Sequence, residues 1–247
     1  MSEAKRERRY SGPYQSQEKD ERWTAVDNYA LSHLHTPSAP YHDALNYALQ
    51  QSRENALPDI AVSALQGKFL AMQCRLLGTK HLLEVGTLGG YSTIWLASAS
   101  PEIRITSIEI NEHHATVARN SIKNAGLEDR VEIIVGAGVD VLPKLQEEVS
   151  AGKREPFDFV FIDADKPNNL NYLNASIEMC KPRTCIIVDN VVRKGGVADA
   201  ELAEINPQVA GSRAVIEAAG KNPRLDATLM QTVGEKNYDG FLICMLK

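Results

Sequence analysis

From residue 81 onward, short apolar runs alternate with amphipathic segments, and this alternation restricts the fold more than any other feature of the chain. The runs at 81–85, 105–108, 131–135, 157–162 and 185–188 are continuously apolar or nearly so, as strands covered on both faces are. Between them, segments near 92–99, 112–124, 140–148 and 170–180 carry apolar residues at helical spacing. Strands alternating with helices predict βαβ units and a parallel sheet. Asn111 is the expected N-cap of the second helix in this series and Gly126 its expected stop. Residues 225–233 and 241–246 are expected to form a closing antiparallel pair, joined by a loop at 234–240 and preceded by a helix near 212–219. Upstream, helical patterns cover about 23–34, 41–55 and 60–77, and Thr36-Pro37-Ser38-Ala39-Pro40 separates the first two.

At 247 residues the chain is expected to form one large α/β domain over 21–247, with outlying helices at 21–56, a core at 57–247 and a charged tail at 1–20. A net charge of -5 and a pI near 5.7, with charges of both signs interspersed, argue against a nucleic-acid face and for a small-molecule ligand. The four cysteines form no CxxC pair, and Cys185 and Cys244 lie in apolar runs. Free core thiols suit a reducing compartment, so a cytoplasmic location is expected. No segment resembles a secretory signal or a membrane span, and Glu3 and Glu7 interrupt the basic cluster around Arg6 and Arg8.

In open α/β sheets, ligands bind beyond the carboxyl ends of the strands. The first such turn, LLEVGTLGGYS, has Gly86, Gly89 and Gly90 in a GxxGG order, not the GxGxxG that cradles a pyrophosphate. Glu109 ends the second strand 23 residues after Gly86 (109 minus 86), where a carboxylate can accept from both hydroxyls of a ribose. Glu84 lies within an apolar run, and a buried carboxylate is costly unless paired. S-adenosylmethionine (SAM) suits this end better than a dinucleotide, because it has a ribose but no pyrophosphate. The plain alternative for Glu109 is a solvated acid at a strand end.

The fourth strand ends at Asp163 and the fifth at Asp189 and Asn190. A right-handed crossover sets consecutive parallel strands side by side, roughly 5 Å apart. Two carboxylates there repel unless a cation or a proton neutralises one. With Asn190 they form an all-oxygen set suited to Mg²⁺ or Mn²⁺. The alternative is a helix cap at Asp163 and an ordinary turn at Asp189. Lys166 follows by one short turn; a nearby cation and partial burial both favour a neutral amine, which can accept a hydroxyl proton. Its alternative is an ion pair with Asp165.

The segments LLEVGTLGGYS, TSIEIN, IIVGAGVDVLPKL, FDFVFIDADK and IIVDN, with ALQGKFL upstream and YDGFLIC near the end, together resemble the cation-dependent class I SAM O-methyltransferases of catechol and caffeoyl-CoA type, in their bacterial and fungal branch. The resemblance implies a Rossmann-like fold with a seven-stranded, mostly parallel sheet, a C-terminal antiparallel hairpin, helices on both faces and extra N-terminal helices. It implies Asp163, Asp189 and Asn190 as metal ligands and Lys166 as general base, with Asp163 part of the catalytic centre. It further implies Glu84, Gly86, Ser92, Glu109, Ala137 and Asp165 as SAM contacts, a catechol-type acceptor such as a flavonoid or caffeoyl derivative, and a homodimer. An aromatic DNxLW motif of the plant enzymes is replaced here by Asp189-Asn190-Val191-Val192-Arg193. The competing expectations are a metal-independent SAM enzyme, an NAD-dependent dehydrogenase and a non-enzymatic binding protein on the same scaffold.

Overall fold

The structure is a computed structural model that describes residues 20–247; the tail expected at 1–20 lies, except for Asp20, outside the described residues. Among the described residues three helices come first: α1 (Glu21–Leu34), α2 (His42–Glu54) and α3 (Ala64–Leu77). The alternating part then runs β1 (His81–Val85), α4 (Tyr91–Ala97), β2 (Arg104–Glu109), α5 (Glu112–Asn124), β3 (Val131–Val135), α6 (Gly138–Ser150), β4 (Phe157–Ile162), α7 (Asn169–Met179) and β5 (Cys180–Val188). It closes with α8 (Ala200–Ile205), α9 (Pro207–Lys221), β6 (Leu225–Val233) and β7 (Tyr238–Leu246).

The strands form one seven-stranded sheet in the order β3-β2-β1-β4-β5-β7-β6. β1 to β5 are mutually parallel, and β7 lies antiparallel between β5 and β6. Side chains alternate across a strand, so β4 sends Phe159 and Phe161 to one face and Val160 and Ile162 to the other. The first pair packs with Leu70, Cys74, Ile94 and Trp95 of α3 and α4. The second packs with Leu142, Leu173, Ile177 and Val215 of α6, α7 and α9. Burial on both faces is why these strands read as unbroken apolar runs. Among the described residues, no helix is long and apolar enough to cross a membrane, and all four cysteines are free thiols.

Local signals work as expected at α5, where Asn111 Oδ1 accepts from His113 N at 2.9 Å and His114 N at 3.4 Å. Gly126 follows that helix at φ 67°. Several boundaries differ. α3 begins at Ala64 rather than at 60, because Ser63 caps it. β5 extends back to Cys180, through a register shift against β4 and a left-handed Arg183 at φ 68°. β7 begins at Tyr238, three residues before the expected start, so the hairpin loop is shorter. α8 went unpredicted, and α9 begins at Pro207 because Asn206 caps it and proline suits a first helical position.

Candidate active site

A cavity of about 490 Å³ opens where β1, β2, β4 and β5 end, walled in part by Gly86, Glu109, Ala137, Asp163, Lys166 and Asn190. A second hollow of about 250 Å³ lies at the opposite end of the strands. There Arg154 already pairs with Glu132 at 2.9 Å and Glu148 at 2.7 Å, and Arg130 donates to the Ser100 carbonyl at 2.8 Å. These charges are already paired with one another or with backbone, whereas the first cavity lies at the carboxyl ends of the strands, where ligands bind in such sheets.

The turn after β1 is pressed against the end of β4. Gly86 has φ 104°, and a Cβ built there would lie 2.1 Å from Asp163 O, so no side chain fits. Glu109 fixes the same turn from the other side. Its Oε2 accepts from Leu88 N at 2.8 Å and Thr87 N at 3.2 Å, and its Oε1 from Asn111 N at 3.0 Å. Glu109 still forms part of the cavity wall, where spare lone pairs can meet a ligand hydroxyl.

Glu84 stands behind the wall. It is fully buried, and its carboxylate accepts from Ser92 Oγ at 2.6 Å, Thr93 Oγ1 at 2.5 Å and Ser107 Oγ at 2.6 Å. Burial pushes this carboxyl up to about 7 against the pull of those hydroxyls. Expected as a direct contact, it instead ties β1, β2 and α4 together beneath the cavity, and Ser92 is the member of the set that reaches the wall. Ala137 lies at the wall as the N-cap of α6. Asp165 is also there, held by Asn168 Nδ2 at 2.5 Å and by a short hydrogen bond from the Tyr172 hydroxyl.

Ile162 pairs with Val188 in the β4–β5 register, so Asp163 and Asp189 follow on adjacent strand ends. Asp189 N donates to Ile162 O at 2.9 Å. Asp189 is 3% exposed, and its carboxyl is pushed up to about 7, first by burial and then by the charge of Asp163. Oδ1 accepts from Asn190 N and Oδ2 from Gln66 Nε2, each at 2.8 Å. Lys166, itself buried, donates from Nζ to Asp163 Oδ1 at 2.8 Å, not to Asp165. Among the described residues no three His, Cys, Asp or Glu side chains gather to hold an ion. The candidate donors are two carboxylates and one carboxamide, an all-oxygen set whose chemistry fits a hard divalent ion.

The loop that carries Asn190 is anchored from β7. Asp239 Oδ1 accepts from Val192 N at 3.1 Å, Arg193 N at 2.9 Å and Gly240 N at 3.0 Å. Asn190, Arg193 and Lys194 all take left-handed φ values of 54–55° within it. Arg193 reaches the cavity wall. Gln66 and Asp239 were not foreseen as site residues, although both lie in segments that carry the resemblance, ALQGKFL and YDGFLIC.

The O-methyltransferase family model matches residues 35–245. The O-methyltransferase imqG of Aspergillus flavus is 49% identical over 228 residues, covering 92% of each protein. The catechol O-methyltransferase of Mycobacterium tuberculosis is 46% identical over 206 residues, covering 83% of this chain and 89% of that protein. The O-methyltransferase of Bacillus cereus in complex with SAH superposes with a TM-score of 0.85 at 43% identity, over 92% of this chain and 99% of that one. A match spanning most of the chain, together with fungal and bacterial relatives at this identity, means that the chain belongs to the class I O-methyltransferase family of catechol and caffeoyl-CoA type.

Proposed function

We propose that this protein moves the methyl group of SAM to one hydroxyl of a catechol-type small molecule, with a divalent cation, Mg²⁺ or Mn²⁺, held by Asp163, Asp189 and Asn190. The observation that carries the reading is that Asp163, Asn190 and Lys166 wall one cavity together with Glu109, while Asp189 sits buried beside Asp163 on the adjacent strand end. SAH in the Bacillus cereus relative supports a SAM-derived ligand. Ser92, Ala137 and Asp165 would contact that ligand alongside Gly86 and Glu109, while Glu84 acts through Ser92.

A cation bound there would supply a Lewis acid that lowers the pKa of a chelated hydroxyl. Lys166 takes the hydroxyl proton at Nζ. The oxygen then attacks the SAM methyl carbon, a C–O bond forms, the C–S bond breaks, and SAH leaves as a neutral thioether. Holding both reactants in line can supply roughly 7 to 11 kcal/mol of the barrier. Two vicinal hydroxyls could both reach a cation held there, so a lone phenol is expected to be a poor acceptor. A homodimer belongs to the same reading, and the exposed Leu76 and Met72 of α3 offer apolar surface for it. The four free thiols fit a cytoplasmic location.

The test is transfer from labelled SAM to a panel of catechols, with and without EDTA. Activity should vanish in EDTA and return with Mg²⁺ or Mn²⁺. Undiminished activity in EDTA removes the cation from the reaction, and no transfer to any catechol removes the acceptor class.

A further inference from the structure

Helix α3 brings one group to the site that the reaction above does not use. Gln66 lies in its first turn, where its backbone N–H donates to the capping Ser63 Oγ at 3.2 Å. Its side-chain Nε2 donates to Asp189 Oδ2 at 2.8 Å, across 123 positions of sequence. The other oxygen of Asp189 accepts from Asn190 N at 2.8 Å. The carboxylate is therefore held at both oxygens, once by its own loop and once by a side chain from outside the sheet.

That reach depends on how closely α3 lies against α4. The next residue is Gly67, and a Cβ built there would stand 2.2 Å from Trp95 Cδ1. A glycine inside a helix is destabilising relative to alanine, so its use here has a packing reason: the helix backbone settles onto the indole. With the helix at that distance, a glutamine side chain reaches the end of β5. The pair Gln66-Gly67 thus acts as one device, the glycine setting the separation and the glutamine spanning it.

We propose that Gln66 is a positioning residue for the Asp189 carboxylate, and that it thereby sets how tightly Asp163, Asp189 and Asn190 hold a divalent cation; this rests on the cation reading above. A donor on Oδ2 fixes the rotation of the carboxylate and leaves a lone pair on each oxygen for the ion. The amide is neutral, so it stabilises the buried charge without competing electrostatically with a cation, as a lysine or arginine in its place would. Outer partners of this kind are typically worth 10- to 100-fold in metal affinity.

The experiment is titration of the full chain with Mn²⁺, followed by electron paramagnetic resonance in the presence of SAH, for wild type and Gln66→Met. Methionine keeps the length and helix preference of glutamine and lacks the donor. The expected result is a Mn²⁺ dissociation constant raised roughly 10-fold or more, with SAH affinity and melting temperature unchanged. Equal Mn²⁺ affinity in the two proteins overturns the inference and leaves the cation reading standing. A parallel loss of SAH affinity and melting temperature also overturns it, since that marks a general packing role. Wild type that binds no Mn²⁺ overturns the cation reading and this inference together.

Discussion

Lys166 illustrates how much a single position is asked to do. Its Nζ donates to Asp163 Oδ1 at 2.8 Å, and the residue is 6% exposed yet forms part of the cavity wall. It pairs with Asp163, and in the proposed reaction it takes the proton of the bound hydroxyl. Lys166→Met keeps the packed stem and deletes the nitrogen. Turnover should fall on the order of 100-fold or more, the usual worth of a positioned base. SAH binding, measured by calorimetry, should persist. Unchanged turnover would assign Lys166 to charge balance alone. The position was readable from DADK because a lysine three residues after a strand-end aspartate has few places to go. Gln66 was not, because nothing in ALQGKFL says where a helix outside the sheet will touch down. That contact is set by Gly67 against Trp95, a tertiary fact.

At the level of elements, strands buried on both faces announce themselves by apolar runs, as β1, β4 and β5 do, whereas β6 is largely exposed and is read from its place in the closing pair. Their ends were harder. β5 starts five residues before its apolar run because Lys181, Pro182 and Arg183 continue it past a bulge, and polar residues there carry no strand signal. The order in which β7 enters between β5 and β6 was also hidden, since a hairpin fixes its own pairing but not which strand faces the rest of the sheet. That insertion has a consequence at the site: it delivers Asp239 to the loop after β5. Asp239→Ala leaves three backbone N–H groups without their acceptor. Buried unsatisfied donors are expensive, so a loss of about 3 kcal/mol is expected in urea unfolding. Asp239→Asn retains an oxygen in the same place and should recover most of it. Equal losses in the two variants would show that the charge, not the acceptor, holds the loop.

For the whole molecule, the carboxyl at the centre of the sheet couples stability to pH. Glu84 is fully buried, and burial moves its carboxyl from an ordinary 4.5 up to about 7. Below pH 4.5 both folded and unfolded chains hold the proton, and Glu84 contributes no difference. Between 4.5 and 7 the unfolded chain releases its proton while the folded chain keeps it, so stability falls as pH rises through this window. Above about 7 the full cost is present, on the order of 3 kcal/mol. Asp189, likewise pushed up to about 7, acts with the same sign, so wild type alone does not isolate Glu84. Glu84→Gln does, because a neutral amide can serve Ser92, Thr93 and Ser107 through reoriented hydroxyls and has no proton to release. Urea unfolding of both proteins at pH 5 and pH 7.5 should therefore show wild type losing more stability than the variant as pH rises. Parallel profiles would mean that three donated hydroxyls stabilise the ionised form enough to cancel burial. Glu84 would then be a charged centrepiece beneath the cavity instead of a neutral one.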